Sequence, residues 1–363
     1  MNVGFDAKRA FNNVTGLGNY SRSVIQSIAN NCNYHLYLFT PNQKNQLFSP
    51  NNTNIKIIKP SAWTNKYYWR YIGINQDIKK LKIDIYHGLS NDIVWNKKVK
   101  KIVTIHDLLF LKYPHFYNPI DRLIYIQKSK KACLNANKII AISNQTKEDI
   151  IYYFNIPEEK IHVIHQACHQ NFIENNHPKH LIDKYNLERP FLLYVGTIEE
   201  RKNLIFLLQA LKEKKEIQLI CIGKKTTYYK KVQLFIKKHN LQDNVRFIDI
   251  LNNKELSLIY QKSRGVVYPS IDEGFGIPIL EAMYSKTPII TSNKNIFKEI
   301  GGSDSYYFEE QNIESLIEQI NNVWIASKER DNRIIKNITH IKQFTESKHA
   351  TQIINLYKIL HNE

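Results

Sequence analysis

Short β-rich apolar runs alternate along the whole chain with longer segments of helical periodicity. The candidate strands of the first half lie at residues 3–6, 35–39, 55–58, 83–87, 101–105, 138–142 and 161–164. The helical segments between them include residues 18–30, 67–81, 119–135 and 144–154. A second series of strands lies at residues 191–195, 218–222, 245–248, 266–268 and 288–291. Because such alternation builds parallel sheets from βα units, the sequence predicts an α/β protein with doubly wound, Rossmann-like sheets.

Chain length and a break in this pattern predict two such domains. The 363 residues of the chain exceed the size at which a single hydrophobic core stops growing. We expect an N-terminal domain at 1–170, an aperiodic linker at 171–189 and a C-terminal domain at 190–346. The last helix, within 347–363, is expected to pack back on the first domain. Since ligands bind at the carboxyl ends of parallel strands, we expect a central cleft that both domains face.

Composition limits the expected partners and compartment. The net charge of +18 favours polyanions, which include phosphorylated ligands, anionic lipid and nucleic acid. The sequence has no recognisable nucleic-acid-binding motif, so we expect no nucleic-acid partner, and a basic nucleic-acid-binding protein is an alternative that rests on charge alone. No apolar run is long enough to span a membrane, and the four cysteines lack C-x-x-C spacing. These features predict a cytoplasmic protein.

Two short motifs of the first half follow candidate strands. Gly16 and Gly18 precede a helix, where glycines let the backbone approach a ligand and the helix N-terminus favours an anion. His106 and Asp107 directly follow a strand, at the edge where this architecture places active sites. A histidine there can orient a sugar hydroxyl or simply cap a tight turn. His87, at the end of another strand, competes for the same role.

A pair of adjacent cations marks the start of the second half. Arg201 and Lys202 lie between a strand and a helix, shortly after Gly196 and Thr197. A solvated dibasic pair is one interpretation. Because the dipole at a helix N-terminus disfavours cations, an anionic ligand such as a diphosphate explains the pair better.

The segment at 268–282 carries the most specific motif. Its residues 273–278 read Glu-Gly-Phe-Gly-Ile-Pro, and Pro278 suits the first turn of a helix. Glu273 is therefore expected in the loop before that helix, beside backbone N–H groups that glycines leave accessible. Glu281 is expected early in the helix itself. Such a pair can bind the hydroxyls of a sugar and the diol of a ribose.

In their order along the chain, these motifs resemble those of the retaining glycosyltransferases of family four. The resemblance rests on 16–18, 106–108, 201–203 and the spacing from Glu273 to Glu281, and it spans most of the chain. It implies a GT-B fold, a nucleotide-diphosphate-sugar donor, no cofactor and no catalytic metal. Thr197 replaces an arginine that many members carry. This change is typical of the mannosyltransferase-like members of surface-polysaccharide (lipopolysaccharide) assembly.

The resemblance also implies a role for each motif residue. Arg201 and Lys202 would hold the donor phosphates and neutralise the leaving diphosphate, while Glu281 would bind the ribose. Glu273 would bind the donor sugar, which His106 would contact from the first domain. The implied catalytic residues are His106, Arg201, Lys202 and Glu273. The implied donor-binding residues are Gly16, Gly18, Gly196, Thr197, Arg201, Lys202, Gly274, Phe275, Gly276 and Glu281.

The expected reaction is transfer of a hexose, first of all mannose from GDP-mannose, to a glycan or lipid-linked acceptor with retention of configuration. A nucleotide-sugar epimerase of the same architecture is the alternative, since it binds the same donor but needs no acceptor. The aromatic and basic stretch at 63–82 is either an acceptor or membrane face, or a helix that packs its aromatics into the first domain. With the net charge, it predicts peripheral binding to the anionic inner face of the cytoplasmic membrane.

Overall fold

The structure is a computed structural model that describes residues 1–42, 47–61, 65–173, 183–249 and 251–363, without the side chains of Tyr67, Tyr71 and Gln170. Two compact units make up the chain. The first comprises Met1–Ala167 together with Phe344–Glu363, and the second comprises Cys168–Gln343. Part of the predicted linker, residues 174–182, lies outside the described residues, as does Trp63.

Parallel strands form the sheet of the first unit, in the order β3-β2-β1-β4-β5-β6-β7. The strands are β1 Asn2–Asp6, β2 His35–Phe39, β3 Ile55–Ile58, β4 Ile85–Gly88, β5 Lys100–Ile105, β6 Lys138–Ala141 and β7 Ile161–Val163. In register, Val3 lies opposite Leu36 on one side and Ile85 on the other. The chain therefore runs outward from β1 in one direction and then in the other, so the strand order reverses between β1 and β4. That reversal is where doubly wound sheets bind ligands.

Helices alternate with these strands along the chain, and among the described residues three short helical turns lie between them. They are α1 Lys8–Asn12, α2 Gly16–Asn31, α3 Lys66–Tyr68, α4 Ile74–Lys80, α5 Leu109–Lys112, α6 Pro119–Asn135 and α7 Asn144–Phe154. A π-helical turn, Trp69–Gly73, connects α3 to α4. The 3₁₀ turns are Pro114–Phe116 and Glu158–Lys160. Proline and a capping asparagine start α6, because Pro119 needs no N–H partner and the Asn118 side chain accepts from Ile120 N.

The second unit repeats the same architecture, with strand order β10-β9-β8-β11-β12-β13. Its strands are β8 Phe191–Val195, β9 Gln218–Ile222, β10 Val245–Ile248, β11 Gly265–Tyr268, β12 Ile289–Ser292 and β13 Tyr306–Phe308. Its helices are α8 Leu204–Lys212, α9 Tyr229–Lys238, α10 Asn253–Lys262, α11 Ile277–Tyr284, α12 Asn295–Gly301, α13 Ile313–Trp324 and α14 Lys328–His340. Its 3₁₀ turns are Gln170–Phe172, Glu200–Lys202 and Ile341–Gln343. The prediction of two Rossmann-like, doubly wound parallel sheets is confirmed.

The final helix, α15 (Glu346–Asn362), returns to the first unit and packs on α2. Its apolar side chains, including Ile353 and Leu360, join the core that also contains β1 and α2 residues. Tyr357 reaches farther in, and its hydroxyl lies 2.6 Å from Nδ1 of His87. The Lys100 ammonium donates to the carbonyl of Leu360 at 2.8 Å and so holds the end of the helix.

Burial keeps three histidines of this unit neutral. Desolvation lowers the pKa of His87 to about 3 and those of His106 and His349 to about 4. In the unfolded chain the same groups titrate near pH ~6.5. Between the folded and unfolded pKa values, the unfolded state binds more protons than the folded state. The contribution of each neutral histidine to the free energy of unfolding is therefore fully present above the unfolded pKa and is lost as the pH falls toward the folded pKa.

We therefore expect the free energy of unfolding of the first unit to fall as the pH drops from about 6.5 to 4, by roughly 1 kcal/mol per pH unit for each histidine. Chemical denaturation followed by tryptophan fluorescence at a series of pH values measures this slope. His349→Phe should flatten the slope, whereas the exposed His361→Phe should leave it unchanged. Equal slopes in both variants and the wild type would contradict this account.

Candidate active site

The loop between β11 and α11 places two carboxylates in different settings. Gly276 caps α11 with a left-handed backbone, at φ of 101°, a conformation that side-chain-bearing residues rarely adopt. Pro278 follows in the first helical turn, as predicted. This geometry leaves Glu273 in the loop and puts Glu281 on the helix. Phe275, which lies between them in sequence, is buried.

Glu273 is the centre of a cluster of charged and hydroxyl groups. Its Oε1 lies 2.5 Å from the Nζ of Lys202, 2.9 Å from Nη1 of Arg201 and 2.7 Å from the Oγ of Ser270. Burial by itself raises the pKa of this carboxyl, but Arg201 and Lys202 outweigh that effect and bring it down to about 2. Glu273 is therefore ionised at neutral pH, and it holds the two cations in fixed positions.

Lys202 is held from several sides and is largely removed from water. Its ammonium donates to the hydroxyl of Tyr268 at 2.9 Å and lies 5.0 Å from the centre of that ring. Burial lowers the pKa of Lys202, whereas Glu273 raises it. An ammonium has three donors, and two of them meet Tyr268 and Glu273. Within the described residues nothing accepts from the third, which a ligand oxygen can use.

Arg201 joins two motifs that lie far apart in sequence. Its Nη1 donates to the carbonyl of Asp272 at 2.8 Å, and its Nη2 donates to Oε1 of Glu199 at 2.7 Å. Its own carbonyl accepts from Ile271 N at 2.9 Å. The 3₁₀ turn Glu200–Lys202 and the β11–α11 loop are therefore fixed against one another at the carboxyl edge of the sheet. The sequence-predicted Arg201, Lys202 and Glu273 form one cluster.

Glu281 differs from Glu273, because among the described residues no cation compensates its burial. The hydroxyl of Tyr260 donates to Oε2 of Glu281 at 2.7 Å. Burial raises the pKa of Glu281 to about 7, although the Tyr260 hydrogen bond lowers it in part. A carboxyl group with this pKa is mostly ionised, with both oxygens available as acceptors, only above neutral pH. If Glu281 binds the ribose, as the family resemblance implies, its hydrogen bonds to that sugar would depend on pH.

Close backbone packing brings the ends of β8 and β9 together. Gly196 N donates to the carbonyl of Ile222 at 2.9 Å. A Cβ on Gly223 would lie 1.9 Å from the Gly196 carbonyl oxygen, so only glycine fits there. Thr197 follows directly, and its carbonyl accepts from the Tyr194 hydroxyl at 3.4 Å. The predicted Gly196 and Thr197 thus lie at the same strand edge as Arg201, while Gly274 lies in the loop after β11.

In the first unit, the two glycines have different surroundings. Gly16 starts α2, and a Cβ there would meet nothing within 4 Å. A Cβ on Gly18 would lie 1.9 Å from the Asn13 carbonyl oxygen. Gly18 is therefore required for the close approach of α2 to the preceding turn, independently of any ligand.

His106 lies at the carboxyl end of β5, as predicted. Its Nε2 is 2.9 Å from the carbonyl of Leu89, and its ring makes an edge contact with Tyr20 at a centroid distance of 4.6 Å. Burial lowers its pKa to about 4, although the bond to Leu89 raises it. The imidazole is therefore neutral at physiological pH. Its Nδ1 lies 3.5 Å from Nε2 of Gln166. A sugar hydroxyl can therefore bond to the ring only by replacing that contact, and the neutral ring carries no charge for a phosphate.

A cavity of about 460 Å³ opens beside His106 in the first unit. It lies at the reversal between β1 and β4, and its walls include Asp6, Lys8, Asp92, Asp107 and Tyr125. Arg70 also lines it, and its Nη2 lies 3.0 Å from Asp6 Oδ2 and 2.5 Å from Asp92 Oδ2. This volume suits a small polar ligand such as a sugar.

Comparisons with known proteins decide the family. The model of Glycosyltransferase Family 4 matches residues 14–169, and that of Glycosyl transferases group 1 matches residues 173–341. The chain belongs to the glycosyltransferases. Its first unit carries the family 4 domain, and its second unit carries the group 1 domain that contains the Glu273 cluster. The resemblance inferred from the motifs is thereby confirmed.

This glycosyltransferase is similar to O-antigen chain mannosyltransferase B of Escherichia coli, with 29% identity over 78% of this chain and 76% of the relative. The sucrose-phosphate synthase of Thermosynechococcus elongatus has the same fold, with a TM-score of 0.80, 16% identity and 99% of each chain covered. Anabaena HepE, solved in complex with UDP-glucose, matches with a TM-score of 0.76 and 13% identity over 98% of this chain and 99% of its own. These likenesses confirm the GT-B fold.

Three residues that bond motif side chains were not among the predicted site residues. Tyr268, Tyr260 and Ser270 each bond a motif side chain directly. Tyr268 and Ser270 flank Pro269 just before the motif, so their position was a usable signal. Tyr260 is on α10, and nothing in its local sequence indicates a contact with Glu281 across 21 residues.

The structure decides between alternatives that the sequence left open at two places. His87 does not compete with His106, because it is fully buried between Tyr357 and the Thr104 hydroxyl, 2.9 Å from its Nε2. The stretch at 63–82 is in part a core element, because Trp69 is buried and donates to Asp77 at 2.7 Å.

The part of the chain that the structure describes shows neither a metal-binding cluster nor a membrane-spanning helix. No group of three or more His, Cys, Asp or Glu side chains is placed there to share a metal ion. Among the same residues, none of the helices combines the length and apolar character that crossing a bilayer requires.

Proposed function

We propose that this glycosyltransferase transfers a hexose, mannose from GDP-mannose in the first instance, to a glycan or lipid-linked acceptor. Transfer would retain the anomeric configuration and use no metal. The observation that carries the proposal is the cluster in which Glu273 fixes Arg201 and Lys202 at the carboxyl edge of the second sheet. Two preorganised cations at that edge are suited to the phosphates of a nucleotide sugar.

The chemistry follows from where charge develops. Breaking the bond between the anomeric carbon and the diphosphate leaves negative charge on the leaving oxygen and positive charge on the sugar. Arg201 and Lys202 would stabilise the former without reorganising, because Glu273 already holds them. Charge on the leaving group is thus met by side chains, which supports a reaction without a metal ion. Glu281 would accept hydrogen bonds from the ribose diol.

The choice of mannose rests on the E. coli mannosyltransferase relative and on the Gly-Thr-x-Glu-x-Arg-Lys-Asn form of residues 196–203. The acceptor would bind in the cavity of the first unit, where His106 and Asp107 offer partners for sugar hydroxyls. We place the reaction in the cytoplasm, at the inner face of the membrane. Free thiols at Cys32, Cys133 and Cys221 support a reducing compartment.

Thermal unfolding in the presence of GDP-mannose, UDP-glucose, UDP-N-acetylglucosamine, GDP and UDP tests the donor. A ligand that binds only the folded state adds about 2.7 kcal/mol at 100 times its Kd. We expect GDP-mannose and GDP to raise the melting temperature, and Glu281→Gln to remove that rise. Glu213→Gln, on the exposed end of α8, is the matched control and should keep it. Stabilisation by the uridine nucleotides alone would overturn the choice of donor.

A further inference from the structure

Helix α6 carries four of its large aliphatic side chains on the face that points to solvent. Ile120, Leu123, Ile124 and Leu134 are between 45% and 69% exposed. At 100° per residue all four fall within one stripe, with three of them in the first two turns, Leu134 at the end, and Gln127 and Lys131 between them. An ordinary surface helix presents polar residues there and turns its apolar stripe to the core.

The opposite face of α6 already provides the packing that the helix needs. Ser129, Ala132 and Cys133 are buried on that face. Arg122, nearer the start of the helix, donates from Nε to the carbonyl of Phe110 at 2.8 Å. The stripe is therefore not part of the core of its own unit, and four exposed apolar side chains on one helix are more than scattered surface residues.

Basic and aromatic groups surround the stripe. Lys131 lies within it, and its Nζ is 5.4 Å from the ring centre of Trp95, a side chain that is 68% exposed. Lys97, Lys98 and Lys130 are exposed nearby in sequence. We call Trp95, Ile120, Leu123, Ile124, Lys131 and Leu134 the α6 surface. Apart from Asp121 at the start of α6, the charged exposed residues of 95–98 and 119–135 are lysines.

We infer that the α6 surface docks on an anionic lipid bilayer. An amphipathic helix with Leu and Ile on one face, lysines alongside and an indole at the border lies in the plane of such an interface. Each lysine near the surface adds attraction to anionic headgroups, and the overall charge of +18 has the same sign. A second protein copy is the poorer fit, because two α6 surfaces would bring like-charged lysines together.

The same helix connects this surface to the acceptor cavity. Tyr125, Lys128 and Ser129 of α6 line the cavity beside His106. A lipid-linked acceptor would thus present its polar head to the cavity while its chain remains in the bilayer. This connection rests on the proposed function, whereas docking itself does not. It also moves the predicted membrane face from the stretch at 63–82 to α6.

Flotation with vesicles tests the inference. Wild type should float with vesicles of phosphatidylglycerol and phosphatidylcholine and remain below with phosphatidylcholine alone. The double variant Leu123→Glu/Ile124→Glu should lose about tenfold or more of its partitioning, since it removes two apolar side chains and adds two negative charges. Ile335→Glu, at an exposed apolar position on α14, is the matched control and should float like wild type.

Equal flotation of the double variant and wild type, or no flotation of wild type on anionic vesicles, would overturn the inference. Light scattering without vesicles tests whether a second copy of the chain covers the α6 surface instead. A wild-type dimer that becomes a monomer in the double variant would show self-association. Melting with GDP-mannose is run on both proteins. Loss of flotation with donor binding intact separates a failure of docking from a failure of the proposed function.

Discussion

Replacing Lys202 with methionine is expected to lower kcat about 10²–10³-fold, the cost of removing one preorganised group that stabilises developing negative charge. Lys202 is held by Glu273 at 2.5 Å and by Tyr268 at 2.9 Å, in a setting from which water is largely excluded. Methionine fills a similar volume without the charge. Arg201 still compensates Glu273, so the fold should survive. Initial rates of transfer at saturating donor measure the effect.

The control for this experiment is Lys212→Met, at the end of α8. Lys212 forms a surface pair with Glu213 at 3.3 Å and lies outside the cluster. We expect it to retain wild-type kcat. Circular dichroism and the melting temperature must show that both variants are folded. A folded Lys202→Met enzyme with a kcat within about twofold of wild type would remove Lys202 from the chemistry.

Nucleotide binding is expected to weaken as the pH falls below about 7, because Glu281 has a pKa of about 7 in the free protein. Protonation turns one acceptor oxygen of the carboxylate into a donor, and fewer acceptors remain for a ribose diol. We expect the Kd for GDP-mannose, whose diphosphate is esterified at both ends and keeps its charge in this range, to rise about tenfold between pH 7.5 and 5.5. Isothermal titration across this range gives the profile. Glu281→Gln should bind weakly at every pH, with a flat profile.

Tyr260→Phe provides a sharper test of the same mechanism. The Tyr260 hydroxyl donates to Glu281 and lowers its pKa, so its loss should raise that pKa further. The weakening of GDP-mannose binding should then begin at a higher pH than in wild type. Glu213→Gln should reproduce the wild-type profile. A Tyr260→Phe midpoint at or below the wild-type value would contradict the role assigned to Glu281.

Much of the fold could be predicted because strand-forming runs and helical segments alternate clearly. The final strand, β13, was missed, since its three residues, Tyr306–Phe308, are too few to show any period. The start of β4 was predicted two residues early, at 83 where the structure has Ile85. Ile83 is buried but lies outside the paired strand, so an apolar residue there did not mark a residue that pairs with a neighbouring strand.

The site could be predicted only as separate motifs. Local sequence placed Arg201, Lys202 and Glu273 near strand ends, but their pairing spans more than 70 positions and depends on the sheet order. The role of His87 depended on an even longer contact, with Tyr357 of the last helix. The protonation states of the two carboxyl groups could not be predicted from the sequence either. Glu273 and Glu281 are eight residues apart, yet their pKa values differ because Arg201 and Lys202 lie beside Glu273, whereas burial dominates at Glu281.

Mass spectrometry of the reaction products tests the central claim most directly. Purified enzyme is incubated with GDP-mannose and lipid-linked glycans extracted from polysaccharide-producing cells, with Lys202→Met as the inactive control. We predict that wild type adds one hexose mass to an acceptor and releases an equal amount of GDP, and that proton NMR shows the anomeric configuration of the donor in the product. Conversion of the sugar while it remains on the nucleotide, with no acceptor modified, would contradict the claim and indicate an epimerase.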